Sequence, residues 1–401
     1  MLLGRRKLRE NALLCCSKAS EAFRLFQKAN YVEVRMKWKK DPFFDSIDIL
    51  ASSRDLRPLV SLKNIIAKEP DKCIPISAVS KCGRVLEISG RVASFLRRFP
   101  AVFEEFTGPN YNLPWFRLTQ EAIDLDRREG EVYLKRRPEI VGRLQRLLLM
   151  SRDKMLPFKI IQGMLWYLGL PEDFLKKSEE IADGLFEIVE MGDGEQWLRA
   201  YADPNEQFLS VLRKNAMKMS SDDPVCFPLF PSKGLRLKKK IEIWLEEFQK
   251  LPYISPYEDF SSVDPNSDLS EKRIAGVLHE LLCLFVDNSA ERRRLLCLRK
   301  YLSLPQKFHK ALERHPHVFY LLLKSKTCFV VLKEAYYGGS ASAIEEHPIL
   351  EVRKEYAKLM KKSEAILRSR RSKRPLVETD DHGSSKEDDG DFDRSNEYLM
   401  I

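Results

Sequence analysis

The chain lacks several things at once. No stretch approaches the roughly 18 uncharged apolar residues that a membrane-crossing helix requires. Histidine is scarce, and the 8 cysteines, at positions 15, 16, 73, 82, 226, 283, 297 and 328, include no pair with the two-residue spacing of a zinc knuckle. These thiols read as reduced and mostly buried, in an intracellular compartment. There is no nucleophile elbow, no Gly-rich phosphate loop and no metal-spaced His/Cys set. The expectation is therefore no enzymatic activity, no metal and no cofactor. His315 and His317 flank Pro316 where an earlier copy of the same pattern has Phe99 and Ala101, so they read as structural. Asp124, Asp126 and Glu129 fit a solvated helix face.

Charge of one sign is also missing from most of the chain. The formal net charge is +10, but it sits at the ends. Residues 1–40 carry 11 basic and 3 acidic side chains, and residues 352–376 carry 10 and 2. Residues 377–401 carry 2 and 9, which leaves the body from 41 to 351 near +1. A polyanion partner must then be held by local patches rather than by an overall field. The basic, acid-poor start, with Leu13, Leu14, Phe23, Leu25 and Phe26 interspersed, reads as an organellar presequence or as an ordinary basic surface helix. Sparse serine points to a mitochondrion, with the chloroplast as alternative.

What the chain does have is a signature used three times. It reads Leu86-Glu87-Ile88-Ser89-Gly90-Arg91-Val92, then Leu168-Gly169-Leu170-Pro171-Glu172-Asp173-Phe174, then Leu302-Ser303-Leu304-Pro305-Gln306-Lys307-Phe308. The copies stand at offsets of 82 and 216 from the first. Such self-similarity marks one supersecondary unit repeated.

Each unit reads as a first helix (Leu59, Leu62, Ile65 and Ile66 in the first copy), a second around Ser77–Cys82 or Lys159–Tyr167, and a third opening at the signature. Ser89, Pro171 and Pro305 fit its first positions, and Pro100 or Pro316 ends it. Two strand-like runs close each unit: 102–106 with 115–119, 185–189 with 197–200, and 319–323 with 328–332. Three helices and a hairpin are the winged-helix layout. The expected fold is mainly α with short β-hairpins, as three winged-helix-like repeat units and a disordered acidic C-terminal tail.

The expected organisation is a presequence and basic lead-in over 1–40, unit one over 41–138 and unit two over 139–203. A Pro-rich connector over 204–265, with a short amphipathic helix at Leu237–Leu251, leads to unit three over 266–362 and the charged tail over 363–401.

Basic residues recur on equivalent elements. Arg97 and Arg98 lie on the third helix of unit one, and Trp115 and Arg117 on its hairpin. Lys135, Arg136 and Arg137 follow, then Arg143 and Arg146; Lys176 and Lys177 stand on the third helix of unit two. Lys238-Lys239-Lys240 and Arg292, Arg293 and Arg294 add two more clusters. Cations neutralise phosphates and nearby aromatics stack on unpaired bases. Each run alone also fits a solvated face, and Trp115 also fits a strand core.

Along Phe95–Phe106, Pro114–Thr119, Trp166–Phe174, Glu271-Lys272-Arg273, Leu278–Leu282 and His347-Pro348-Ile349-Leu350, the chain resembles the plant organelle RNA recognition (PORR) family of what's-this-factor type. The likeness runs from Asp41 to about Met360. It departs at Leu165-Trp166-Tyr167, where many members read Arg-Trp-Asp, and at Ala182-Asp183-Gly184, where a His-Pro is usual. The resemblance implies a nucleus-encoded organellar ribonucleoprotein component that binds group II intron RNA and promotes its splicing while the RNA supplies the chemistry. Other nucleus-encoded organellar splicing factors are candidate partners. The rival readings are a scaffold within splicing complexes and a winged-helix DNA-binding regulator.

Overall fold

The computed structural model describes residues 40–88, 90–108, 113–176, 184–192, 194–201, 207–218, 224–232, 237–324 and 327–372. Residues 1–39 of the presequence and lead-in expected over 1–40, together with Ser89, Lys177, Ala182, Asp183 and residues 373–401, lie outside the described residues. The fold is mainly helical with small antiparallel sheets.

In chain order the elements are α1 (Pro42–Ser46), α2 (Asp48–Ala67), β1 (Cys73–Pro75), α3 (Ile76–Val79), α4 (Val92–Arg97), β2 (Phe103–Thr107) and β3 (Pro114–Leu118). Next come α5 (Gln120–Lys135), α6 (Arg137–Leu149), β4 (Met155–Pro157), α7 (Phe158–Leu168), β5 (Phe186–Glu190) and β6 (Gln196–Ala200). Then follow α8 (Val211–Lys218), α9 (Lys239–Lys250), α10 (Asp268–Leu284), β7 (Ser289–Glu291), α11 (Arg292–Leu298) and α12 (His309–Arg314). The last are β8 (Phe319–Lys324), β9 (Thr327–Leu332), α13 (Glu334–Tyr337) and α14 (Leu350–Ser372).

Two backbone kinks recur with this order. Lys72, Lys154 and Asn288 have left-handed φ of 47°, 55° and 45° and each immediately precedes a short strand. Glu87, Gly169 and Ser303, at the second position of each signature, have φ of 58°, 69° and 52°. At each of these the next amide reaches back five residues: Ile88 to Gly83, Leu170 to Leu165, Leu304 to Arg299. This is the closing bond of a Schellman turn, which satisfies carbonyls left open at a helix end. The apolar residues around it, Ile88, Leu170 and Leu304 with Val92, Phe174 and Phe308, are buried.

The short strands β1, β4 and β7 were invisible in the sequence, because three residues, with proline in two of the runs, carry no pattern. Each nonetheless joins a three-stranded sheet, in the orders β1-β3-β2, β4-β6-β5 and β7-β9-β8. The prolines of the signature also stand differently from expectation. Pro171 and Pro305 lead a turn that closes on Phe174 and Phe308, and α12 starts only after it.

The third sheet divides two cores. Phe319, Val330 and Leu332 face one, built with α6, α7, α9 and α10. Tyr320, Leu322, Phe329 and Val331 face the other, with α2, α4, β3 and α14. Alternate residues of a strand point to opposite faces, so a hairpin buried on both sides reads as one continuous apolar run, Phe319–Leu323 and Cys328–Leu332. In the other two hairpins the corresponding outward positions carry cross-strand ion pairs, Arg117 with Glu104 at 2.9 Å and Arg199 with Glu187 at 3.1 Å.

The Pro-rich connector is part of this architecture. Trp244, Leu245 and Phe248 of α9 and Val211 and Leu212 of α8 are buried in the first core. Buried charges pin it in place. Lys272 Nζ donates to the Gln249 and Leu251 carbonyls, capping α9, and Lys333 Nζ donates to the Phe230 carbonyl. Glu280 accepts from the Val211 amide, and Glu334 from Asn215. At the other end, α14 runs through residue 363, where a disordered tail was expected to begin, to Ser372. The reason is packing: Tyr356 and Met360 enter the second core, and the Ser363 hydroxyl accepts the Ala101 amide.

Two buried imidazoles make this assembly acid-sensitive. His347 Nε2 donates to the Leu168 carbonyl while Nδ1 accepts the Ile349 amide, so both nitrogens are used in the neutral form. Burial, with Arg143 and Arg353 nearby, pushes its pKa down to about 2. Burial, with Lys333 and His315 nearby, pushes His317 down to about 4. The unfolded chain takes up protons below about 6.5 that the folded chain refuses. Stability is thus full above that pH and falls as pH drops through it, by up to about 1.4 kcal/mol per group and pH unit. Thermal unfolding between pH 7 and 5 checks this: the midpoint should fall, and less steeply in His347→Gln.

Candidate nucleic-acid interface

The sequence-predicted cations fall into three groups. The first lies on unit one. Arg97 at the end of α4 grips Glu105 with two hydrogen bonds, 2.7 Å from Nε and 2.6 Å from Nη2. That pairing raises the Arg97 pKa and holds Glu105 below the usual carboxylate range. Arg98 reaches Asp55 at 2.7 Å and lies over the Phe95 and Phe99 rings, 5.7 and 5.1 Å from their centroids. Arg117 on β3 pairs with Glu104 and covers the Phe106 ring at 5.4 Å. Trp115 is half-buried beside Phe106, and a Cβ on Gly108 would stand 1.9 Å from its indole. The glycine is what lets the ring lie flat on the hairpin turn. Exposed pairs of this kind contribute only about 0–1 kcal/mol, so these carboxylates hold the arginines only weakly.

The second group follows α5. Lys135 pairs with Glu131 at 3.6 Å, Arg136 pairs with Glu139, and Arg137 is half-buried. Arg143 differs from expectation. Its guanidinium is buried and donates to the carbonyls of Glu139, Glu345 and Glu346, because α6 packs against the segment leading into α14. Burial lowers its pKa, and it is a structural tie rather than a surface cation. Arg146 is half-buried at a cleft shared with Lys214 and Glu345.

The third group is assembled across the chain. Arg293 and Arg294 on α11 hold opposite oxygens of Glu87, from the signature of unit one, at 2.6 and 2.9 Å. Arg293 also bonds Glu291, and Arg292 is half-buried. Lys176 is exposed at the end of a short 3-10 turn.

The repeat itself pointed to two residues that the charge reading passed over. The offset of 82 carries Trp115 onto Trp197 and Arg117 onto Arg199. Both tryptophans stand opposite the proline that ends the first strand, Pro75 or Pro157. Trp197 packs on Tyr301 of the third unit, with ring centroids 5.9 Å apart. The end of α14 adds exposed Arg368, Arg370 and Arg371.

A family model described as the plant organelle RNA recognition domain matches residues 39–365. The chain belongs to this family. It is 55% identical over 358 residues to Protein WHAT'S THIS FACTOR 9, mitochondrial, of Arabidopsis thaliana, covering 88% of this chain and 92% of that one. It is 30% identical to the Protein WHAT'S THIS FACTOR 1 homolog, chloroplastic, of Oryza sativa subsp. japonica, over 76% of this chain and 62% of the relative. Protein ROOT PRIMORDIUM DEFECTIVE 1 of Arabidopsis thaliana is 29% identical over 77% of this chain and 79% of its own. No solved structure matches the chain. The PORR match spans all three sheets and the connector alike, so the family unit is the whole two-core body rather than one repeat.

Proposed function

We propose that this chain is a mitochondrial, non-enzymatic splicing factor that binds group II intron RNA and steadies its splicing-competent fold. The observation that carries the reading is the RNA recognition family match over residues 39–365. The mitochondrial address follows the name of the relative at 55% identity. Each repeat is read as a winged-helix-like module, supported by the thrice-repeated order of helix, strand, helix, turn and hairpin. The contact set is Arg97, Arg98, Trp115, Arg117, Lys135 to Arg137, Arg146, Lys176, Lys177 and Arg292 to Arg294, with Arg143 removed to the interior. Arginine forks suit phosphate oxygens, and the half-buried Trp115 offers a stacking edge.

The test is filter binding of an intron transcript to wild type and to Arg97→Glu/Arg98→Glu at several salt concentrations. The double reversal should weaken binding about tenfold or more, the worth of a charge-assisted contact, and flatten the salt dependence. Undiminished affinity in a folded variant would remove this patch. Duplex DNA that outcompetes the intron would replace the RNA reading with a DNA-binding one, and no RNA affinity at all would favour the scaffold.

A further inference from the structure

The three repeats meet at one cleft. A cavity of about 240 Å³ is lined by Arg57 of α2, Glu87 of the first signature, Trp166 of α7, and Arg293 and Phe329 of the third unit. That is below the roughly 300 Å³ at which pockets for drug-sized ligands begin, so it suits part of a nucleotide, such as its base. The Ser53 hydroxyl at its wall and the Arg294 Nε beside it are buried with no partner among the described residues. Arg57 makes no ion pair among the described residues.

Glu87 is the odd member of its repeat. Its counterparts are Gly169 and Ser303, whereas here a long acidic side chain sits in the left-handed region. Its two oxygens lie against Arg293 and Arg294 as phosphate oxygens would.

We propose that this cleft is an RNA-nucleotide site in which Glu87 stands in for a phosphate until RNA displaces it. On binding, Arg293 and Arg294 take one backbone phosphate, Arg57 adds charge at the wall, and the attached base lies against Trp166 and Phe329. The proposal rests on the RNA-binding reading above and adds a site and a direction: the carboxylate restrains binding.

The decisive comparison is Glu87→Gln against Glu104→Gln, each removing one exposed acid from an arginine pair. Affinity for an unstructured RNA oligonucleotide and for an intron transcript is measured by filter binding, with thermal midpoints as the folding control. Glu87→Gln should tighten binding severalfold more than Glu104→Gln does. Arg293→Gln/Arg294→Gln should weaken it about tenfold or more, as loss of a charge-assisted contact does, and lower the salt slope by about 0.7 for the phosphate lost. A photoreactive base should crosslink at Trp166, Tyr167 or Phe329. Equal effects of the two glutamate changes, or weaker binding by Glu87→Gln, would overturn the cleft site while leaving RNA binding intact. Absence of RNA binding by the wild type would instead bring down the underlying reading.

Discussion

Gly169→Ala should cost about 3 kcal/mol or more, whereas the equivalent Ser303→Ala should be nearly neutral. Both positions have the same left-handed backbone, with φ of 69° and 52°. An L-residue pays about 1–2 kcal/mol for that conformation, and serine at 303 already carries that penalty. Gly169 carries a second constraint. A Cβ there would lie 2.4 Å from His347 Cε1 and 2.9 Å from Val286 Cγ2. His347 cannot retreat, because both its nitrogens are held, by the Leu168 carbonyl and the Ile349 amide. Overpacking of this kind adds about 1–3 kcal/mol. Denaturant unfolding of the two variants checks the contrast, and a His347→Ala background should recover part of the Gly169→Ala loss. A Gly169→Ala loss of only about 1–2 kcal/mol, undiminished in the His347→Ala background, would show that backbone conformation alone demands the glycine.

Lys63→Met should destabilise the second core by about 3–5 kcal/mol, the usual cost of breaking a buried ion pair from one side. Lys63 is 1% exposed, with Nζ 2.6 Å from Asp126 and 2.7 Å from Glu129. Glu129 is itself buried and receives the Tyr133 and Tyr356 hydroxyls. Burial raises the pKa of both tyrosines, so they remain donors. The cluster joins α2, α5 and α14, and methionine would leave the buried Glu129 carboxylate without its cation. Adding Glu129→Gln should restore much of the loss, since replacing both charges is far less costly than orphaning one. A double-mutant cycle by chemical denaturation measures this, and additive losses would mean that the two charges act independently.

The sequence reading of Asp126 and Glu129 as a solvated face fails here for a definite reason. Their spacing on α5 is that of an exposed helix face, and only the arrival of α2 and α14 covers it. The strands β1, β4 and β7 were missed because they are too short to show alternation. The cations were legible as cations, but not their partners: nothing local joins Glu87 to Arg293, or Arg143 to the carbonyls of Glu345 and Glu346.

The amino-acid order alone determined the repeat, its turn and the mainly helical character with hairpins. These depend on short-range chemistry: apolar anchors at fixed spacing, left-handed positions after helix ends, and prolines that stop helices. It also determined which hairpin is buried on both faces, since Phe319–Leu323 and Cys328–Leu332 hold no outward charges. Tertiary structure decided how the repeats fit together. Gly169 is crowded only because His347 packs on it, the connector joins the core where Lys272 and Lys333 bond its carbonyls, and the cleft exists only where three distant segments meet. Such contacts join residues far apart in sequence, and their energy comes from burial and desolvation, which no local pattern records.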